Sequence, residues 1–318
     1  MDFLGQRMPY VTAFSKALGT GMMISADSPI GDESRSAMES LIEDYEHVLS
    51  RFRNDSLIAA IGKAEHGGSF DFPDWCAPLF DLYDALFSAT SGAIDPCVGE
   101  DLIRLGYDAS LSFTVTQDAP EHLGALRGRA VWGRDVTRHG TTLVTHEPVQ
   151  LDFGACGKGY LVDLLGRMLQ SSQFVIDAGG DLLIHAEQPI SVALEDPEDS
   201  SRAIGVAHIV NGALCASAPS RRHWNVAVNE RTQIAIHHLL NAINGLPAQQ
   251  TEASWAYATP DIARDYPAAV ADGLATALFV SDATQLQRTF DFAYATLDEF
   301  RQIAVSRDFP AELFLRSA

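Results

Sequence analysis

Gly154, Ala155, Gly157 and Gly159 leave the backbone nearly bare around Lys158, a spacing that lets a ligand touch main chain directly. A short apolar approach ends at Asp152, and after the loop Tyr160, Leu161, Leu164, Leu165, Met168 and Leu169 recur at helical spacing. A bare loop that opens a helix offers its first amides to an anion, so a phosphate-bearing ligand is the expected occupant. Phe174, Val175 and Ile176 then predict a strand that breaks at Ala178-Gly179-Gly180, before Asp181 and a second apolar run from Leu182 to Ile184. The stretch reads as a loop, a helix and two strands with carboxylates at the joints.

Charge narrows what else the chain can do. Its formal net charge is −20, a field that repels nucleic acid and anionic membrane, so a nucleotide ligand would need a locally positive or metal-filled pocket. Lysine is scarce, occurring only as Lys16, Lys63 and Lys158; this favours a ligand role for Lys158 over that of a solvated loop lysine. With 318 residues and 47% hydrophobic content the chain can bury a proper core, as one large domain or two ordinary ones. No stretch reaches the roughly 18 consecutive apolar residues of a membrane span. The opening MDFLGQRMPYVTAF carries an early acid and no long apolar core, so a soluble cytoplasmic protein is expected, with no membrane insertion. Cys76, Cys97, Cys156 and Cys215 lie far apart without a CxxC pair, which predicts free thiols in a reducing compartment. Cys156, flanked by small residues, reads as buried packing rather than as a nucleophile.

Along the chain, Ala17 to Ala26 predicts a glycine-opened strand. From Asp32 to near Ser50, Met38, Leu41, Ile42, Tyr45, Val48 and Phe52 recur at helical spacing. A short second helix capped by Asp55 or Ser56 follows, then a turn over His66 to Ser69. Phe72 to Ser91 predicts a helix capped by Asp74, ending in the turn Ser91 to Pro96. Leu123 to Leu126 reads as helical, and Ala130 to Trp132 and Thr141 to Val144 as strands. Strands are expected at 190–194, 204–210, 214–216, 224–228, 234–240 and 253–258, with gaps short enough for a mixed or largely antiparallel sheet. Val270 to Val280 and Ala283 to Ala295 predict helices, and 302–305 and 312–315 short strands.

Asp272 and Thr276 stand one helical turn apart, so their oxygens share a face. Beside a loop carbonyl this pair suits a hard cation such as magnesium; equally, Asp272 could cap its helix and Thr276 bond the carbonyl of residue 272. Seven motifs in order carry a resemblance: GTGMMIS at 19–25, LSRFRNDSLIAAI at 49–61, TSGAIDPCVG at 90–99, LDFGACGKGYLVD at 151–163, IDAGGDLL at 176–183, HLLNAINGLP at 238–247 and ADGLATALFV at 271–280. Over nearly its whole length the chain resembles the ApbE-like family, the FAD:protein FMN transferases. The resemblance implies an α+β, ApbE-like fold of mixed, largely antiparallel sheets with flanking helices and a deep ligand cleft. It implies a single domain over residues 1–318, with room for two closely packed lobes. It further implies FAD as substrate, Mg2+ as cofactor, and transfer of FMN to a serine or threonine of an acceptor protein with release of AMP. By motif position the metal ligands fall on the Ala155 carbonyl, Asp272 and Thr276. The flavin contacts fall on Leu18, Phe52, Ala93, Ile94, Asp95, Asp152, Lys158 and His238, and the catalytic roles on His238, Asp272 and Lys158.

Some positions depart from the family pattern. Leu18 stands where methionine is usual and Gly62 where asparagine is common. The family's threonine-serine-glycine stretch reads Ala216-Ser217-Ala218, and a carboxylate of the histidine turn has become Asn241, which cannot act as a base at neutral pH. His238 could serve as base or as a structural donor, with His237 competing for the role; Asp181 could bind ligand or cap a turn. FAD hydrolysis to FMN and AMP, and non-catalytic flavin binding, are the alternatives these departures keep open.

Overall fold

The structure, a computed structural model, describes residues 4–229, 232–261 and 266–314. Its main element is a nine-stranded sheet in the order 10–14, 22–26, 174–177, 181–196, 199–217, 251–258, 293–298 and 303–305, with 311–313 joining the strand 199–217 along its length. Every one of these pairings is antiparallel, as the short gaps in the sequence suggest. Alternation explains how the sheet serves two cores. Val175, Ile184 and Trp255 face one hydrophobic cluster, while their neighbours Ile176, Leu183 and Ala256 face the other.

The second cluster is where the helices lie. Helix Asp32–Leu49 buries Met38, Ile42, Tyr45 and Leu49, and ends at Ser50 as its periodicity predicts. Helix Leu57–Ile61 is capped by Ser56, whose Oγ accepts from the Ala59 amide at 3.1 Å. Helix Pro267–Ala277 is buried at every position except Thr276, the burial expected of a helix that is apolar all round. Asp272 is its one charged residue. It packs against helix Gly157–Gly166 so closely that a Cβ on Gly159 would stand 2.1 Å from the Ala268 carbonyl oxygen. No helix among the described residues is long and apolar enough to cross a membrane.

Several expectations need correction. The runs at 182–184 and 190–194 belong to one strand, Asp181–Asp196, and those at 204–210 and 214–216 to another, Asp199–Ser217. The expected helix 283–295 stops at Leu286, and Ala293–Asp298 is instead a strand with alternating burial. Ala77–Ala89 is helical without a side-chain cap, after a separate turn at Asp74–Cys76. Gly68–Asp71, read as part of a turn, pairs with Thr142–Thr145, whereas Trp132 makes only an isolated bridge to Val136. Tyr10–Phe14 forms an edge strand that its sequence did not announce. The expected strand at 234–240 runs instead over Thr232–His237, and Leu315, the end of the last expected strand, lies outside the described residues.

Candidate functional site

The close contact of the two helices builds a buried charged corner. With no side chain on Gly159, its amide donates to Asp272 Oδ2 at 2.9 Å, so Asp272 is fixed from the neighbouring helix and caps nothing in its own. Lys158, one residue earlier, pairs its Nζ with Asp181 Oδ2 and stands 3.6 Å from Asp272 Oδ1. Asp181 is wholly buried, and its Oδ1 has no hydrogen-bond partner among the described residues. Thr276 Oγ1 donates to the Ala155 carbonyl at 3.3 Å rather than to residue 272, and lies 3.4 Å from Ser217 Oγ. The Ala155 amide in turn donates to the Tyr83 hydroxyl at 3.2 Å. Residues 155 and 158 thus meet residues 272 and 276 from a distant part of the chain, joined by Asp181 and Ser217.

Electrostatics follow from that burial. Desolvation raises the Asp272 carboxyl, Asp181 adds to the rise, and Lys158 with the Gly159 amide opposes it. For Lys158, burial works against the ammonium, but Asp181 and Asp272 more than offset it and hold the group above its ordinary value. The oxygens of Ala155, Asp272 and Thr276 are hard donors of the kind magnesium takes, and the orphaned Asp181 oxygen leaves negative charge beside them. Among the described residues no group of three or more His, Cys, Asp or Glu is placed to hold a metal. A cation here would rest on the single Asp272 carboxylate together with the Ala155 carbonyl and the Thr276 hydroxyl.

The turn at 178–181 closes by a bond from the Ala178 amide to the Asp181 carbonyl, with Gly179 and Gly180 at φ 74° and 116°. Asp177, not Asp181, caps it, accepting from the Gly179 amide at 2.8 Å. Alongside runs the turn bearing Leu18, which is left-handed at φ 51° and donates its amide to Glu46 Oε1 at 2.8 Å. Such a conformation costs a branched residue about 1–3 kcal/mol unless its surroundings hold it.

Phe52 is 42% exposed and meets Tyr107 edge to face at 5.4 Å. Arg51 lies over both rings, its Cζ 4.2 Å and 4.7 Å from their centroids. Arg51 also pairs with Asp152, whose other oxygen accepts from the Gly154 amide at 2.6 Å. Both Asp152 oxygens are therefore engaged in shaping the loop. Ala93, Ile94 and Asp95 are buried at 2%, 4% and 3% exposure. The Asp95 carboxylate faces inward, to the Cys97 amide at 2.8 Å, the Trp132 amide at 3.3 Å and Arg129 at 3.4 Å, which assigns this side chain to the fold rather than to ligand. Ala93 and Asn241 border a groove of about 680 Å³.

The two histidines separate cleanly. His237 Nε2 donates to the Ala248 carbonyl at 2.9 Å and its Nδ1 accepts from the Leu239 amide at 3.3 Å, so both nitrogens are used. His238 Nδ1 donates to the Arg222 carbonyl at 3.2 Å, a tautomer that leaves Nε2 with a lone pair. Burial pushes the His238 imidazole down to about 4, with His237 and Lys158 among the smaller contributors. Beyond it, Asn241 Oδ1 accepts from the Ile243 amide at 3.0 Å, and the Ala242 amide donates to Ala93 at 3.0 Å. Cys156 is fully buried and burial raises its thiol pKa, in line with a packing role.

Sequence reasoning missed Arg51, Glu46 and Arg129. Arg51 is adjacent to Phe52 in a quoted motif, a signal that was available; nothing in the sequence singles out Glu46 or the fully buried Arg129. Gly62, where a Cβ would stand 2.5 Å from Gln150 Oε1, is small because the Gln150 side chain fills the space and donates to the Gly62 carbonyl at 3.0 Å.

A mainly antiparallel sheet backed by helices, with a lysine–dicarboxylate corner beside a glycine loop, defines an α+β protein. The sequence model of the ApbE family matches residues 18–296, and the chain belongs to that family. It is 27% identical over 270 residues to an FAD:protein FMN transferase of Treponema pallidum, covering 76% of this chain and 69% of that one. A second FAD:protein FMN transferase, from Chlamydia muridarum, is 24% identical over 272 residues, covering 82% and 80%. Its fold is similar to that of the ApbE protein from Thermotoga maritima, with a TM-score of 0.76 at 20% identity over 95% of this chain and 100% of that one. Flavin transferase ApbE from Vibrio cholerae gives a TM-score of 0.75 at 16% identity, covering 94% and 98%.

Proposed function

We propose that this chain transfers FMN from FAD to a serine or threonine hydroxyl of a partner protein, with AMP as leaving group and magnesium as cofactor. The observation that carries the reading is Asp272, a carboxylate buried in the middle of an apolar helix and turned toward Lys158 and Gly159. A buried charge of this kind is costly unless it serves a partner or a ligand. Membership of the ApbE family and the names of the two relatives support the same activity.

The Ala155 carbonyl, Asp272 and Thr276 would hold the magnesium ion, which when bound neutralises the diphosphate and stabilises the oxygens on which charge grows. Lys158 adds a point charge to the same group, and the open face of Phe52 offers stacking to a ring. His238 Nε2, unprotonated at neutral pH, accepts the proton of the acceptor hydroxyl. The acceptor oxygen forms its bond to the FMN phosphorus while the bond from that phosphorus to the bridging oxygen breaks, and AMP departs with that oxygen. Hydrolysis, in which water replaces the acceptor, is the second reading; it is favoured by Asn241, whose side chain supplies no base and is used in its own turn.

Asp272→Ala tests the reading. FAD turnover should fall by roughly 100-fold or more, while the melting temperature changes little, since alanine is a good helix former. The measurement pairs turnover at several magnesium concentrations with intact mass of a candidate acceptor incubated with FAD. Equal turnover of variant and parent with metal present would sink the assignment, and release of FMN and AMP without any adduct would leave hydrolysis as the activity.

A further inference from the structure

Asp181 is the one member of the charged corner that neither the metal set nor the substrate contacts employ. It is the first residue of strand Asp181–Asp196, paired across the sheet with Cys215. Its side chain is fully buried, one oxygen is ion-paired to Lys158, and the other has no hydrogen-bond partner among the described residues. A buried carboxylate with an unsatisfied oxygen is costly, and the turn before it is already capped by Asp177. Local structure therefore does not account for it.

The arrangement of the lysine does. Lys158 Nζ makes its close pair with Asp181 and stays 3.6 Å from Asp272. With both carboxyls ionised, the three groups carry one positive and two negative charges. We propose that Asp181 is a positioning residue: it draws the Lys158 ammonium away from Asp272, so that the Asp272 carboxylate is free to meet a divalent cation. This inference rests on the reading of Asp272 as a metal ligand. Without Asp181, Lys158 would have one carboxylate left within reach and would pair with Asp272, both occupying its oxygens and repelling an incoming cation.

Binding of Mn2+ alone, without FAD, measured by its electron paramagnetic resonance signal, tests this with four variants. Asp272→Asn should weaken binding strongly. Asp181→Asn, nearly isosteric, should weaken it about tenfold or more, the scale of removing one charge from a buried cluster. Adding Lys158→Met to Asp181→Asn should restore affinity to near the parent's, because the competing ammonium is gone. Lys158→Met alone should bind more tightly than the parent. Persistent weak binding in the double variant would overturn the proposal by making Asp181 a ligand itself. Unchanged affinity in Asp181→Asn would overturn it by making the pair merely structural. No binding by the parent, or none lost in Asp272→Asn, would bring down the metal reading together with this one, whereas loss in Asp272→Asn alone would leave the metal reading standing. Should Asp181→Asn not fold, the double variant decides: affinity near the parent's supports the proposal, and weaker affinity rejects it.

Discussion

The corner around Lys158 and Asp272 is held by side chains and closely packed helices from distant segments, whereas the loop from His238 to Pro247 is held by its own turns and by main-chain bonds at Ala242 and Ile243 to residues 93, 125, 126 and 129. In the corner, a helix buried on nearly all sides meets a glycine of another helix, and backbone contact sets where the carboxylate lies. In the loop, Asn241 Oδ1 bonds the Ile243 amide, Asn244 Oδ1 bonds the Leu246 amide at 2.9 Å, and the Gly245 amide returns to the Asn241 carbonyl at 2.7 Å. The first kind of construction tolerates almost no change of volume. The second exchanges side chains readily so long as each turn keeps an acceptor, and Asn241 fills that role here.

The contrast can be broken most forcefully at Gly159. Replacing it with alanine puts a methyl 2.1 Å from the Ala268 carbonyl oxygen and 2.8 Å from Asp272 Cβ. Separation of the two helices should cost about 3 kcal/mol or more and abolish FAD turnover, read by denaturant unfolding and by product release. Retained stability and turnover would show the corner to be more yielding than its geometry implies.

His238→Asn comes next. Loss of the proton acceptor should slow transfer by roughly 100-fold while leaving Mn2+ affinity unchanged, so the two regions should separate in one variant. Because burial holds the imidazole at about 4, below its ordinary value of about 6.5, transfer by the parent should be level between about pH 6 and 8 as far as this group is concerned. The same shift has a sign for stability. Between about 6.5 and 4 the unfolded chain binds the proton and the folded one does not, so the contribution of His238 is present above that window and is lost as pH falls through it. An activity profile that rises through pH 6.5 in the parent and is flat in the variant would contradict the tautomer and burial assigned to His238.

Asn241→Asp should have the smallest effect on the fold and sharpen the comparison from the loop side. The carboxylate can accept from the Ile243 amide as the amide oxygen does, so stability should stay within about 0.5 kcal/mol. Transfer to an acceptor should rise several-fold and hydrolysis less, as measured by adduct mass against free FMN. A rise in hydrolysis alone would mean that the carboxylate activates water.

Periodicity made the helix Asp32–Leu49 legible from sequence, along with the antiparallel character of the sheet, because both follow from residues close together in the chain. The corner was legible as motifs: Ala155, Lys158, Asp272 and Thr276 do meet. What sequence could not supply was which carboxylate the lysine prefers, since Asp177 and Asp181 flank the same glycines and only the folded turn assigns the cap to Asp177. The choice between His237 and His238 likewise depends on which carbonyls and amides lie nearby, a matter of tertiary placement. For Asp95 the sequence could not say what its side chain does, because its partner Arg129 is remote in the chain. The helix expected over 283–295 failed because its apolar residues fit both periods, and pairing of Ala293–Asp298 with Thr251–Ala258 decided for a strand.

The four cysteines, all unpaired and at 0% exposure, give these two constructions a built-in clock. A thiol that solvent cannot reach reacts with a labelling reagent only when the surrounding structure opens, so its rate reports the opening free energy of its neighbourhood. Cys156 follows the Ala155 carbonyl and Cys215 lies opposite Asp181 in the sheet, while Cys97 follows the turn against which the histidine loop docks through Ala93. Two of these sulfurs thus time the breathing of the charged corner and a third that of the wall behind the loop. The chain can be interrogated at both places without any introduced cysteine.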